Sequence, residues 1–267
     1  MSTSSSRPLA LVTGASTGIG LELAKQFASN GFDLVVSARS DALDDAVREL
    51  EPLGGVVEAV RVDLACADGV DQLWGRVQEL GRPLAAAALN VGRGAGGAFT
   101  DTDLIDELEI VDLNVRSTVH LAKHVVRDMA ARGEGRILFT SSIASTMPGS
   151  FQAVYNASKS FVQSFALALR NELKDTNVTV TALMPGPTDT EFFETADMLD
   201  TKVGADDKDD PADVARDGFE AMMAGKERVV SASLSTKVMG RAGRFVPDSA
   251  KAEQHRKMAE PGSARKS

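Results

Sequence analysis

Short apolar runs alternate along this chain with longer stretches in which apolar residues recur every three or four positions. Leu9 to Thr13, Leu34 to Ala38, Val56 to Val62, Leu84 to Leu89, Ile137 to Thr140, Val178 to Leu183 and Arg228 to Ser231 are of strand type. Helical periods start at Leu21, run from Asp103 to Arg132 and from Val154 to about Asp175, and end with Pro211 to Ala224. Alternation of this kind predicts the α/β class: a doubly wound, parallel, seven-stranded sheet with helices on both faces, in three layers. The expected organisation is a frayed amino terminus over residues 1–7, one domain over 8–231 and a separate tail over 232–267. One helix departs from a single apolar stripe. Phe161, Val162, Phe165, Ala166, Leu167, Ala168, Leu169 and Leu173 cover most of its circumference, so it needs a partner on its outer side, and a homodimer or homotetramer is expected.

The first strand empties into T-G-A-S-T-G-I-G, Thr13 to Gly20, and a helix follows. Strand, glycine turn and helix make a phosphate cradle: Gly14 permits the turn, Gly18 lets backbone approach a pyrophosphate, and Gly20 lets helix and strand pack closely. Ser16, Thr17 and Ile19 lie in the same turn and are expected at the cofactor. An ordinary βα turn is the plainer alternative. In dinucleotide folds the end of the second strand reads the adenosine ribose, and here it carries Ala38 and Arg39. A carboxylate there would favour NAD; a guanidinium offers a fork to a 2′-phosphate, so NADP(H) is the expected cofactor, a solvated arginine being the alternative.

A second stretch, Ile137 to Lys159, brings a hydroxyl, a phenol and an amine together. Ser142 follows a strand's carboxyl end, where open α/β sheets put their sites, and Tyr155 and Lys159 share one helix face. An adjacent cation lowers a phenol's pKa toward the range useful for acid–base chemistry.

Taken together, T-G-x-x-x-G-x-G at Gly14, Gly18 and Gly20, Y-x-x-x-K at Tyr155 and Lys159, and a serine thirteen residues before the tyrosine resemble the short-chain dehydrogenase/reductase family, over about Leu9 to Ser231. The resemblance implies a Rossmann-like fold and a reaction interconverting a carbonyl compound and an alcohol. It implies that Tyr155 donates the proton, Ser142 holds the carbonyl oxygen, Lys159 lowers the phenol pKa and holds the nicotinamide ribose, and Asn114 orders a relay water. It further implies cofactor contacts from Asp63 and Leu64 at the adenine, from Asn90 and Gly92, and from Pro185, Gly186, Thr188 and Thr190 at the nicotinamide end. Asp63 also reads simply as the cap of the next helix. The family's N-N-A-G segment is altered to Leu89-Asn90-Val91-Gly92, which puts local strand-tying hydrogen bonds in doubt. A carrier-linked or CoA-linked 3-oxoacyl reductase and a non-catalytic NADP-binding sensor are the alternatives. An enoyl reductase would space its tyrosine and lysine by seven, and a sugar-nucleotide epimerase would need more chain after Gly186.

Composition narrows the partners. A net charge of −9 argues against nucleic acid, and no apolar run approaches the roughly 20 residues of a membrane span. The single Cys66 and the absence of a charged-then-apolar leader point to the cytoplasm. A polar loop at about 187–210 carries nine acidic residues against Lys202 and Lys208, with Phe192, Phe193, Met198 and Leu199 among them; it reads as a substrate lid. That field and those apolar residues favour a small neutral carbonyl or alcohol as substrate. From Lys226 onward ten basic residues face four acidic ones, and a solvated helical tail or a subunit contact is expected there. His120 and His124 lie one helical turn apart, but the sequence offers them no third ligand and no metal site is expected.

Overall fold

A computed structural model describes residues 7–231 and 246–266. Most of the expected frayed start and residues 232–245 of the basic tail lie outside the described residues. The elements are β1 Leu9–Thr13, α1 Gly18–Ser29, β2 Asp33–Ala38, α2 Ala42–Leu50, β3 Val57–Arg61, α3 Ala67–Glu79, β4 Leu84–Leu89, α4 Leu104–Val111, α5 Ser117–Arg132, β5 Glu134–Thr140, α6 Ala153–Glu172, β6 Asn177–Pro185, α7 Phe192–Thr195, α8 Lys202–Ala205, α9 Pro211–Met223 and β7 Arg228–Ser231. All seven strands are parallel, in the order β3-β2-β1-β4-β5-β6-β7. This is the Rossmann-like three-layer fold. The chain reverses direction across the sheet between β1 and β4, which opens a crevice at the strands' carboxyl ends.

Strand periodicity divides the core. Leu9 and Leu11 join α3, α5 and α6 on one face, while Ala10 and Val12 join α1, α2 and α9 on the other. On that second face Phe27 meets Phe219 edge to face at 5.1 Å, tying the first helix to the last of the sandwich.

The stretch from Asp103 to Arg132 is not the single helix its period predicts. Asp103 caps α4 by accepting from the Ile105 amide at 2.7 Å, but Asp112–Arg116 form a π-helical turn before α5 resumes. No Pro or Gly marks the break, and a one-residue bulge barely disturbs apolar phasing. The lid is also more structured than a loop: α7 and α8 lie in it, and a parallel bridge from Thr188 to Asp209 closes its base.

The described part of the tail corrects the expectation of a solvated helix. The carboxyl-terminal helix Asp248–Ala259 buries Ala259 against Phe193, Ala196 and Met198 of the lid. Ser150 donates to the Ala252 carbonyl at 3.0 Å, and the His255 ring Nδ1 lies 2.9 Å from the Ser150 carbonyl. Beyond the helix, Ser263 Oγ accepts from the Lys202 amide at 2.8 Å and Gly262 donates to Asp200 at 2.7 Å. The tail thus clasps the lid and the loop that precedes α6.

Candidate active site

Two neighbouring serines at the end of β5 take different parts. Ser141 Oγ is buried and donates to the Lys159 carbonyl at 2.9 Å, tying strand to helix. Ser142 has extended backbone, accepts from the Ala144 amide at 3.1 Å, and hydrogen-bonds with Tyr155. Phe151, just before α6, has φ +65°, an unusual conformation for a bulky side chain. Its carbonyl accepts from Gly97 at 3.0 Å and Arg256 of the carboxyl-terminal helix lies over its ring at 5.1 Å, so packing holds the turn that aims α6.

Tyr155 is half-buried under the lid, with the Phe192 ring 5.1 Å away at 50°. Lys159, 5 % exposed, donates from Nζ to the Thr140 carbonyl at 3.0 Å and sits 5.9 Å from the Tyr155 ring centre. Burial pulls Lys159 down to about 8 and pushes Tyr155 up to about 12, the Ser142 hydrogen bond working against the latter shift. The expected lowering of the phenol by its lysine is therefore not what governs the chain alone. Low dielectric disfavours both charges, and the ammonium is engaged by a carbonyl on the strand.

Asn114 lies in the π turn and is 1 % exposed. Its Oδ1 accepts from the Arg93 amide at 2.9 Å, and its Nδ2 donates to the Arg93 carbonyl and to Ser158 Oγ, both at 2.9 Å. The side chain pins the glycine-rich loop to α6. The side chain's hydrogen bonds are thus taken up within the chain, and at the π turn Thr118 donates to the Asn114 carbonyl at 2.8 Å.

The glycine turn has the shape that the phosphate reading requires. Gly20 packs so tightly that a Cβ would lie 1.9 Å from the Gly14 carbonyl oxygen, and α1 starts after Thr17 with no side-chain cap on its first amides. At Gly18, φ is +56° and a Cβ would meet Thr190 at 2.9 Å; at Gly92 it would approach both Asn114 Oδ1 and Lys159 Nζ at 3.1 Å. A side chain at Gly18 would collide with Thr190 and one at Gly92 would crowd Asn114 and Lys159, so both turns present bare backbone, as a dinucleotide lying against them requires. Ser16 and Ile19 are half-buried in this turn and Thr17 is exposed. Pro185 ends β6, Gly186 donates to Ser231, Thr188 Oγ1 donates to the Gly186 carbonyl at 2.9 Å, and Thr190 Oγ1 accepts from the Phe192 amide at 3.3 Å. These residues form the root of the lid above Gly18.

The altered N-N-A-G segment is not short of ties. The Thr13 hydroxyl accepts from the amides of Asn90 and Val91 at 3.0 and 3.1 Å, and Thr140 Oγ1 donates to Asn90 Oδ1 at 2.9 Å, joining β1, β4 and β5. Asp63 does not cap the next helix: Cys66 precedes α3, which has no side-chain cap, and Asp63 Oδ1 instead accepts from the Ala65 amide at 2.9 Å in a local turn, while Oδ2 is 3.6 Å from Arg39 and Leu64 is buried beside it.

Arg39 is exposed but not unpartnered. Its Nη1 meets Glu109 Oε1 at 2.9 Å, and the other Glu109 oxygen pairs with Arg93, which also meets Asp106 at 2.9 Å. Glu109 and Arg93 escaped the sequence reading because the Arg39–Glu109 contact spans 70 residues. Only the arginine directly after Gly92 hinted at it. Of the lid's apolar residues, Phe193 and Met198 are buried in its own core, Leu199 points outward, and Phe192 alone lies on Tyr155; its ring would be 2.5 Å from a Cβ at Gly94. No described helix is long and apolar enough to cross a membrane.

Comparison with known proteins agrees with this geometry. The family model for short chain dehydrogenases matches residues 8–198. An uncharacterized short-chain type dehydrogenase/reductase of Sinorhizobium fredii is 34% identical over 189 residues, 70% of this chain and 73% of that protein. A very-long-chain 3-oxoacyl-CoA reductase of Neurospora crassa is 37% identical over 176 residues, 64% of this chain and 53% of that protein. Among solved structures, a short-chain dehydrogenase from Sphingobium yanoikuyae in complex with NADPH superposes with a TM-score of 0.79 at 25% identity, covering 89% of this chain and 93% of that one. With the family match running from the first strand into the lid, this chain belongs to the short-chain dehydrogenase/reductase family of oxidoreductases.

Proposed function

We propose that this chain is an NADP-dependent reductase of ketones or aldehydes, working in either direction, with Tyr155 as general acid and base. The observation that carries this reading is the convergence of Ser142, Tyr155 and Lys159 on one cleft beside the glycine turn. Bound NADPH supplies the hydride that reduces the carbonyl carbon. Tyr155, held protonated by burial, gives its proton to the carbonyl oxygen as charge develops there, and Ser142 orients that oxygen by hydrogen bonding. Lys159, its Nζ 5.9 Å from the Tyr155 ring centre, would hold the nicotinamide ribose, and Asn114 fixes the neighbouring loop. Phe192 over Tyr155 keeps water from the reacting oxygen.

Arg39 supports the choice of NADP over NAD. A 2′-phosphate would exchange with Glu109 for the guanidinium, gaining a doubly charged partner for a solvent-screened one. Arg39→Ala is expected to weaken NADPH at least tenfold and NADH less than threefold, read by fluorescence titration. Equal dissociation constants for the two coenzymes in wild-type protein would sink the assignment.

For the substrate, the lid's carboxylates support a neutral compound. Asp189, Glu191, Glu194, Asp197 and Asp200 are all exposed, so their field meets solvent and opposes polyanions, while Phe192 offers an apolar wall to the cleft. The relative in Neurospora crassa favours a second reading, reduction of a 3-oxoacyl thioester. A neutral ketone is expected to exceed acetoacetyl-CoA of similar chain length in kcat/KM at low salt. A tenfold advantage for the thioester would reverse the two readings.

An assembly reading rests on surface composition. Leu104, Ile105, Leu108 and Val111 of α4 are 67%, 74%, 52% and 40% exposed, and Phe161 of α6 joins them at 40%. The all-round apolar α6 is thus partly covered within the chain, and the larger uncovered stripe is on α4. Light scattering is expected to give a dimer or tetramer at micromolar concentration, reverting toward monomer in Leu108→Glu; a monomeric wild type would refute it. The single exposed Cys66, free of any disulfide, supports a reducing cytoplasm.

A further inference from the structure

The sequence left His120 and His124 without a third ligand, and the fold supplies one. Asp71 of α3 faces the two histidines of α5, its Oδ1 lying 3.0 Å from His120 Nε2 and 3.4 Å from His124 Nε2. All three ligand atoms fall within 4.8 Å of one another. A tetrahedral ion with bonds of about 2.0–2.1 Å to nitrogen and oxygen sets its ligand atoms about 3.3 Å apart, so the separations of 3.0 and 3.4 Å match two edges of such a polyhedron.

Hydrogen bonding alone explains the cluster less well. His124 Nε2 is shut off from solvent and makes no well-formed hydrogen bond, a costly state for a polar atom that a metal would relieve. The ring carrying it is held in place, stacked on Trp74 of α3 at 5.5 Å and 15°. The side chains of His120 and His124 keep 30% and 32% exposure and that of Asp71 59%, which leaves an entry path and a fourth position for water.

The geometry points to a binding site for one divalent cation of the zinc class on Asp71, His120 and His124. Two imidazoles and one carboxylate suit zinc, cobalt, nickel or copper and do not suit magnesium or calcium, which take oxygen ligands. The site is apart from the cleft in its chemistry, and its effect would be structural. It clips α3 to α5 one turn beyond Thr118, whose hydroxyl holds the Asn114 carbonyl at the π turn.

The test uses the full-length, tag-free, metal-stripped protein in a Cys66→Ser background, so that no thiol competes. Zinc chloride is titrated calorimetrically, and cobalt chloride is followed by its visible absorption. One equivalent per chain is expected with micromolar or tighter affinity, a rise in melting temperature of about 5 °C at saturation, and a cobalt spectrum of four or five coordination. Asp71→Asn, His120→Gln and His124→Gln should each weaken zinc at least tenfold while melting cooperatively in its absence. His255→Gln, altering the third histidine of the chain, should leave affinity unchanged. No binding at 100-fold excess zinc over protein, or binding that survives all three substitutions, overturns the assignment.

Discussion

Tyr155→Phe is expected to lower kcat for ketone reduction by about 1000-fold, within the span of 100 to 10,000 that a positioned general acid supplies. The phenyl ring can keep its contact with Phe192, and only the hydroxyl facing Ser142 is lost. NADPH affinity should therefore change less than threefold, and KM little, because the missing interaction belongs to proton transfer rather than to ground-state binding. Turnover near that of the wild type would remove Tyr155 from the acid role. The phenol itself is directly readable, since the chain contains one tyrosine. In the protein without cofactor its ultraviolet ionisation signal should appear near pH 12 rather than near 10.

Lys159→Met is expected to abolish most activity and yet stabilise the protein without cofactor. Burial depresses the folded-state pKa of Lys159 from 10.5 to about 8, so the folded chain binds fewer protons than the unfolded chain between those values. Stability must then rise with pH across that interval, and the cost of the buried charge is fully present below pH 8. That cost is of order 3 kcal/mol, and methionine removes it while leaving the Thr140 carbonyl without its 3.0 Å donor, a loss of about 1 kcal/mol. Urea unfolding at pH 7 should show the variant more stable by about 2 kcal/mol, the difference shrinking as pH approaches 10. Measurements stop there because Tyr155 has the opposite linkage: its raised pKa withdraws stability as pH climbs from 10 toward 12. A destabilised variant at pH 7 would show that the lysine is not held against its preference for water. A kcat/KM reduced less than about 100-fold would show that its ammonium is dispensable.

Much of this arrangement is legible locally. Each parallel strand announces itself by an apolar run, and the glycine turn and the Tyr155–Lys159 face follow from spacings of a few residues, where geometry is nearly determined by helix and turn type. What escaped depends on distance along the chain. Asp71 meets His120 and His124 only because α3 packs on α5, and Glu109 meets Arg39 only across the cleft. The π turn at Asn114 leaves no mark in an apolar pattern that accommodates one extra residue. The tail looked like a basic solvated helix because its few buried residues, His255 and Ala259, are not strongly apolar as a set; their burial comes from the lid they cover. The phenol was expected to be acidified by its neighbour, since charge proximity can be read from spacing. Burial cannot, and it governs both groups here.

Bound NADPH is expected to react in this cleft, as opposed to being merely sensed. Rapid mixing of the preformed NADPH complex with a panel of neutral ketones and aldehydes, followed by the nicotinamide absorbance, tests it in one turnover. The expected result is oxidation of one equivalent of bound NADPH per site in a single exponential with at least one carbonyl compound, with the hydride carried into the alcohol when deuterated NADPH is used. Tight NADPH binding with no oxidation across neutral carbonyls and 3-oxoacyl thioesters alike would rule out the reductase and leave a nucleotide-binding protein without the chemistry proposed for Tyr155.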